Sequence, residues 1–317
     1  MSIQGNQSYI DFQFDPLSFP VILAIIPLIY MPPGILLIIK LFIVLFSPKK
    51  SKSINYQLYI AIILSQVNCV LFFICDYFLL RIPATGIVTS WCARSQPNGY
   101  LIALYTFTFY VNYSTMIYPS LVAILRLVLI LFPSNHTKIN NRILDYGIPF
   151  IYIYPLFFIW FLFPAVGFCA QMRAPYSFGS IVITFSGSWF GLRNSYFLLF
   201  NTIFWVCISC STNVVIIYKL IRMKMKIGIN NTYEKRYKAE LSLTLTTVLM
   251  AVSNLTNGSM VIFNTSSFTF YFIMLRPFCN DLETIVVPWV FFLTHPALNQ
   301  KGKHKLWSLK VDNLIRS

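Results

Sequence analysis

The stretch GYLIALYTFTFYVNYSTMIYPSLVAILRLVLILF, Gly99–Phe132, holds a single charged residue, Arg126, in a run long enough to cross a membrane. A helix through the hydrocarbon core needs about 20 mainly apolar residues, because each adds about 1.5 Å to a path of about 30 Å. Its polar content is a second clue. Ser, Thr, Asn, Pro and Tyr recur through it, which suits a helix packed on other helices better than a lone anchor. Six further stretches read the same way: Phe19–Phe46, Asn55–Leu80, Tyr146–Cys169, Ser195–Leu220, Ala239–Phe263 and Tyr271–His295. Composition agrees, since 57% of the chain is hydrophobic and only 10% is charged, too little to clothe a water-facing surface. The expected fold is an all-α membrane protein: a seven-transmembrane helix bundle in one domain covering residues 1–317.

Charge then gives the bundle a direction. Of the 24 Lys and Arg residues, 18 fall in alternate connections and the tail, while Arg81, Arg94, Arg173 and Arg193 are the four on the other side. Lys40 and Arg276 lie inside spans. Basic loops stay in the cytoplasm, so residues 1–18 are expected outside and the tail, 296–317, inside. The densest basic segment follows the fifth span, with Lys219, Arg222, Lys224, Lys226, Lys235, Arg236 and Lys238. A net charge of +15 could suit nucleic acid, but here it is divided among loops flanking apolar spans, so the partner is the lipid bilayer and not nucleic acid. Met1–Pro16 lack a basic leader and a short apolar run with a cleavage site, so the first span is expected to act as signal-anchor.

Catalytic and cofactor chemistry finds no candidates. His136, His295 and His304 are far apart, the chain contains neither HExxH nor a phosphate-cradling glycine loop, and the Cys207-Ile208-Ser209-Cys210 pair lies inside an apolar span, where small buried thiols are the simpler reading. The seventh span has no Lys to carry a retinal Schiff base. No enzyme, metal or cofactor is expected. Cys92 and Cys169 both fall on the oxidising outer side, where a disulfide competes with free thiols and with Cys279 as an alternative partner. Asn6, in the Asn6-Gln7-Ser8 sequon, is the glycosylation candidate.

Ionisable groups inside spans point to function, because burying one in lipid is costly unless it is paired. Asp76 stands about one turn before Arg81 and can pair with it, and Arg276 is two turns from Glu283. Asp281 is two residues from Glu283, so the two diverge by about 200° on a helix, and Asp281 is the one expected to face the interior. Tyr105, Phe109 and Tyr113 recur at four-residue spacing and mark one aromatic face of the third span. That face reads equally as a ligand pocket or as helix packing. Asn254 and Asn257, three residues apart on the sixth span, are further pocket candidates. Arg126, in Leu125-Arg126-Leu127, reads as a switch holding the cytoplasmic ends together or as an Arg snorkelling to the interface.

Four groups of residues carry a resemblance. They are GNQSYI at 5–10; LRIPATG at 80–86 running into SWCA at 90–93; GSWFGLRN at 187–194; and LRPFCNDLETIVVPWVFFLTHP at 275–296. Together the chain resembles the nematode serpentine chemoreceptors of class U, within the gamma-type serpentine superfamily of G-protein-coupled receptors. The resemblance implies a chemosensory receptor in the plasma membrane, including that of sensory cilia, which binds a small-molecule cue and activates a heterotrimeric G protein. Against rhodopsin-like receptors there are departures: Leu125 stands where an acid would precede Arg126, the sixth span has no kinking Pro, and the seventh ends Thr294-His295-Pro296. Ser65, Gln66 and Asn68 occupy the region where the second span would carry an aspartate. A transporter or ligand-gated channel subunit is the alternative, and it would need a continuous polar pathway or paired intramembrane charges.

Overall fold

The structure is a computed structural model and describes residues 2–45, 55–224, 240–251, 254–256 and 269–294. Its long helices are α1 (Phe19–Leu45), α2 (Tyr56–Asp76), α3 (Gly99–Leu131), α4 (His136–Ile153) and α5 (Asn194–Lys224). Two more helical segments follow, α6 over residues 240–251 and 254–256 and α7 over Thr269–Thr294. With their short continuations, α1 to α5 are five helices long and apolar enough to cross a membrane, so the chain is a mainly helical, multi-pass membrane bundle. The faces of α1 that would meet lipid carry exposed Ile22, Leu28, Ile29, Leu36 and Ile43, an apolar surface that water would not tolerate.

Local chemistry sets the helix starts. The side chains of Asn55 and Asn98 cap α2 and α3, accepting hydrogen bonds from Leu58 N (3.2 Å) and Leu101 N (3.0 Å). The helix α3 is the axis of the bundle: it packs on α2, α4 and α5, and its residues from Val111 to Ala123 are all buried. Polar side chains tie the neighbours together. Asn68 Nδ2 donates to the hydroxyls of Tyr118 (2.9 Å) and Tyr152 (3.0 Å), and Ser120 Oγ donates to Trp205 O (2.9 Å).

Three features depart from the sequence expectation. First, the fold is not all-α. A hairpin, β1 (Val166–Gln171) paired antiparallel with β2 (Ile181–Ser186), caps one end of the bundle, and Cys169 lies in it and not at the end of a helix. The amino-terminal segment joins this cap: Ile3 N donates to Cys169 O (3.2 Å), and the Phe12 ring lies against Gly179, where a Cβ would come within 2.0 Å of it. Gly179 also has φ +90°, a conformation that suits glycine. Second, α4 starts at His136 and not at Tyr146. Third, α2 runs on through a π-helical turn, Tyr77–Arg81, into Ile82–Ala84. Arg81 is therefore a buried bundle residue, 6% exposed, and so is Arg126 at 0%; neither belongs to a loop. Each side of the charge tally loses one member, and its asymmetry stands.

Candidate functional site

At the hairpin end, a cavity of about 510 Å³ opens between α3, β2 and the start of α5. That is within the usual size of a small-molecule site, about 300–1,000 Å³. Tyr105 and Phe109 of α3 form its aromatic wall, with ring centroids 4.6 Å apart, and Phe185 of β2 sits edge-on to Tyr105 at 5.0 Å. Thr184, Ser186, Ser188, Asn194 and Ser195 supply hydroxyl and amide groups, and Arg193 is the charged residue in the lining. Tyr113 is one layer deeper and fully buried. Its hydroxyl donates to Asn194 Oδ1 at 2.7 Å, so it holds the first residue of α5 in place beneath the cavity.

The other predicted pocket residues lie elsewhere. Asn254 is buried on α6 and donates to Met116 O at 3.4 Å, below the cavity floor. Asn257 lies outside the described residues. Asp281 is interior, 2% exposed, but it belongs to a charge cluster and does not line the cavity. Arg81 Nη2 reaches both of its carboxylate oxygens at 2.7 Å, and the Tyr30 hydroxyl of α1 donates to it as well. Arg276 hydrogen-bonds Asp76 on α2. Asp76 meets Arg81 only loosely, at 3.9 Å. The four charges thus cross-link α2 to α7 in two pairs and sum to zero.

Toward the opposite end, Arg126 is enclosed by α6. Its Nη2 donates to Glu240 O (2.8 Å), to Thr244 Oγ1 (2.7 Å) and to Glu240 Oε2 (3.3 Å), and its Nη1 donates to Thr247 Oγ1 (3.2 Å). Sequence reading overlooked these partners. Glu240, Thr244 and Thr247 recur at i, i+4 and i+7, the spacing of one helix face, and that polar stripe in an apolar span was the available signal.

Cys92, in the short helix Thr89–Arg94, and Cys169 in β1 are joined by a disulfide with their Cα atoms 6.0 Å apart. Cys279 is a free thiol. Asn6 is exposed and caps the short helix Gln7–Ile10, its Oδ1 accepting from Ser8 N at 3.0 Å. Among the described residues no group of His, Cys, Asp and Glu has the arrangement of a metal site. Most of the basic link and the whole tail, residues 225–239 and 295–317, lie outside the description.

A multi-pass helical bundle with a capped cavity at one end and a buried interhelical arginine at the other has the build of a membrane receptor. Comparison with known proteins supplies the family. The serpentine type 7TM GPCR chemoreceptor Sru family matches residues 3–301. Serpentine receptor class U-26 of Caenorhabditis elegans is 40% identical over 261 residues, covering 82% of this chain and 90% of that protein. The chain belongs to the Sru family of serpentine chemoreceptors, as its four quoted motifs implied. This is a family of receptors and not of enzymes.

Proposed function

We propose that this chain is a chemosensory G-protein-coupled receptor of the plasma membrane, the membrane of a sensory cilium included. It crosses the bilayer seven times, with the N-terminus outside. A small molecule enters the Tyr105–Phe109 cavity from the hairpin side, and a heterotrimeric G protein binds the basic cytoplasmic face. The observation that carries this reading is the pairing of two sites on one helix. The cavity wall at Tyr105 and Phe109 and the Arg126 contact are about 17 to 21 residues apart on α3, or about 25–32 Å at 1.5 Å per residue. A ligand that favours one packing of α3 against α5 can thereby bias the α3–α6 contact, by as much as its affinities for the two packings differ. The paired intramembrane charges on α2 and α7 are one thing a transporter or channel would need, but membership of a chemoreceptor family favours the receptor reading.

The test is a cue screen on cells expressing the receptor, read as G-protein activation, followed by Ser195→Trp. The indole would fill the cavity beside Tyr105. Loss of the evoked response at unchanged surface expression is expected. An undiminished response would remove the cavity from the mechanism.

A further inference from the structure

A second cavity lies between α1 and α7, apart from the one beside Tyr105. Leu23 and Ala24 form one wall, Met274 and Phe278 the other; Arg81 closes the deep side and Tyr176 of the hairpin link the top. Its volume is about 30 Å³, room for one oxygen-sized group. Arg81 is 94% buried, since its exposure is 6%, and its Nη1 makes no hydrogen bond although Nη2 is fully engaged by Asp281. Phe73 and Phe278 cover the guanidinium, at 5.2 and 5.6 Å, and so bar other acceptors from those directions. A buried guanidinium N–H without an acceptor is an unmet demand in a medium of low dielectric.

The charge balance selects the acceptor. Asp76, Asp281, Arg81 and Arg276 already cancel, so an anion on Arg81 would add an uncompensated negative charge beside Asp281. A neutral carbonyl oxygen satisfies Nη1 without that penalty. The rest of such a molecule does not fit the small cavity and must run along the α1–α7 seam, whose outer edges are the exposed, apolar Phe19, Ile22 and Leu275. Burial pushes the Tyr176 phenol up to about 12, so the top of the site stays neutral at physiological pH.

We propose that Arg81 is the recognition point of a second ligand site, taking a neutral, lipid-soluble aliphatic ketone or ester that enters from the bilayer between α1 and α7. Its oxygen accepts from Arg81 Nη1, and its chain lies against Leu23, Ala24, Met274 and Phe278.

The experiment uses full-length receptor in membranes and decan-2-one bearing a diazirine near the end of its chain. Photolabelling should map to Phe19–Tyr30 or Tyr271–Leu282, with unlabelled decan-2-one competing and decane and decanoate not competing. Leu23→Trp and Met274→Trp fill the seam from opposite walls without touching a charge, and each should cut labelling about tenfold through loss of the seated pose. Should a Trp variant fail to reach the membrane, the competition series on the unaltered receptor decides alone. Equal competition by decane would strip Arg81 of its role, and stronger competition by decanoate would overturn the charge argument. Labelling that persists in both variants, or maps elsewhere, would sink the site. No arm depends on G-protein signalling, so the result stands apart from the proposed function.

Discussion

At the scale of single residues, the cost of burying charge decides between readings that sequence leaves level. A snorkelling arginine stretches its head group to the interface, whereas Arg126 is fully enclosed and makes four contacts with three residues of α6. Removing one partner of such a pair strands the other's charge, which typically costs about 3–5 kcal/mol. In purified receptor, Arg126→Ala and Glu240→Ala should each lower stability by about that much, and the double variant should lose far less than the sum. Simple additivity in thermal unfolding would show that the two do not act as a pair. Asp281 teaches the converse lesson. Helical geometry on α7 placed it in the interior, but its partners Arg81 and Tyr30 come from other helices, 200 and 251 positions away. No spacing within one span could reveal them.

Among the elements, the hairpin is what sequence concealed. The run Tyr146–Cys169 is apolar throughout, and a short strand of apolar residues at its end has no sequence period that separates it from a helix. What holds β1 in place is contact with α3: a Cβ on Gly167 would lie 2.5 Å from Ile102 N and 2.7 Å from Leu101 C. These are backbone atoms of a helix and cannot step aside. Gly167→Ala should therefore destabilise the receptor by about 1–3 kcal/mol, the usual cost of overpacking. Gly99→Ala is the control, because nothing lies within 4 Å of its missing Cβ and the helix gains by losing a glycine. Melting of detergent-solubilised protein would separate the two, and equal midpoints would refute the contact. The second helix shows a related effect. Its π-helical turn carries Arg81 into the bundle where its charge suggested a loop.

For the whole molecule, the family makes it a receptor, the basic asymmetry proposes its orientation, and topology is the claim to test. An epitope at Ser317 should be hidden on intact cells and appear after permeabilisation, while one placed before Ser2 should stain without it. A tail stained on intact cells would overturn the seven-span, outside-first arrangement and with it the cytoplasmic site for a G protein. The Cys92–Cys169 disulfide, the hairpin and the amino-terminal segment all gather at the end where the N-terminus lies, and the Tyr105–Phe109 cavity opens there.

The class of protein was readable from the chain itself, because apolar length, sparse charge and family motifs are properties of contiguous residues and need no partner to be recognised. Sequence also marked Tyr105 and Phe109, since a four-residue spacing on one helix is a local pattern. Tertiary structure alone decided who pairs with whom. Asp76 meets Arg276, Arg81 meets Asp281 and Arg126 meets Glu240 because separate helices bring them within hydrogen-bonding reach. In a low-dielectric interior each charge must find its partner wherever the packing puts one.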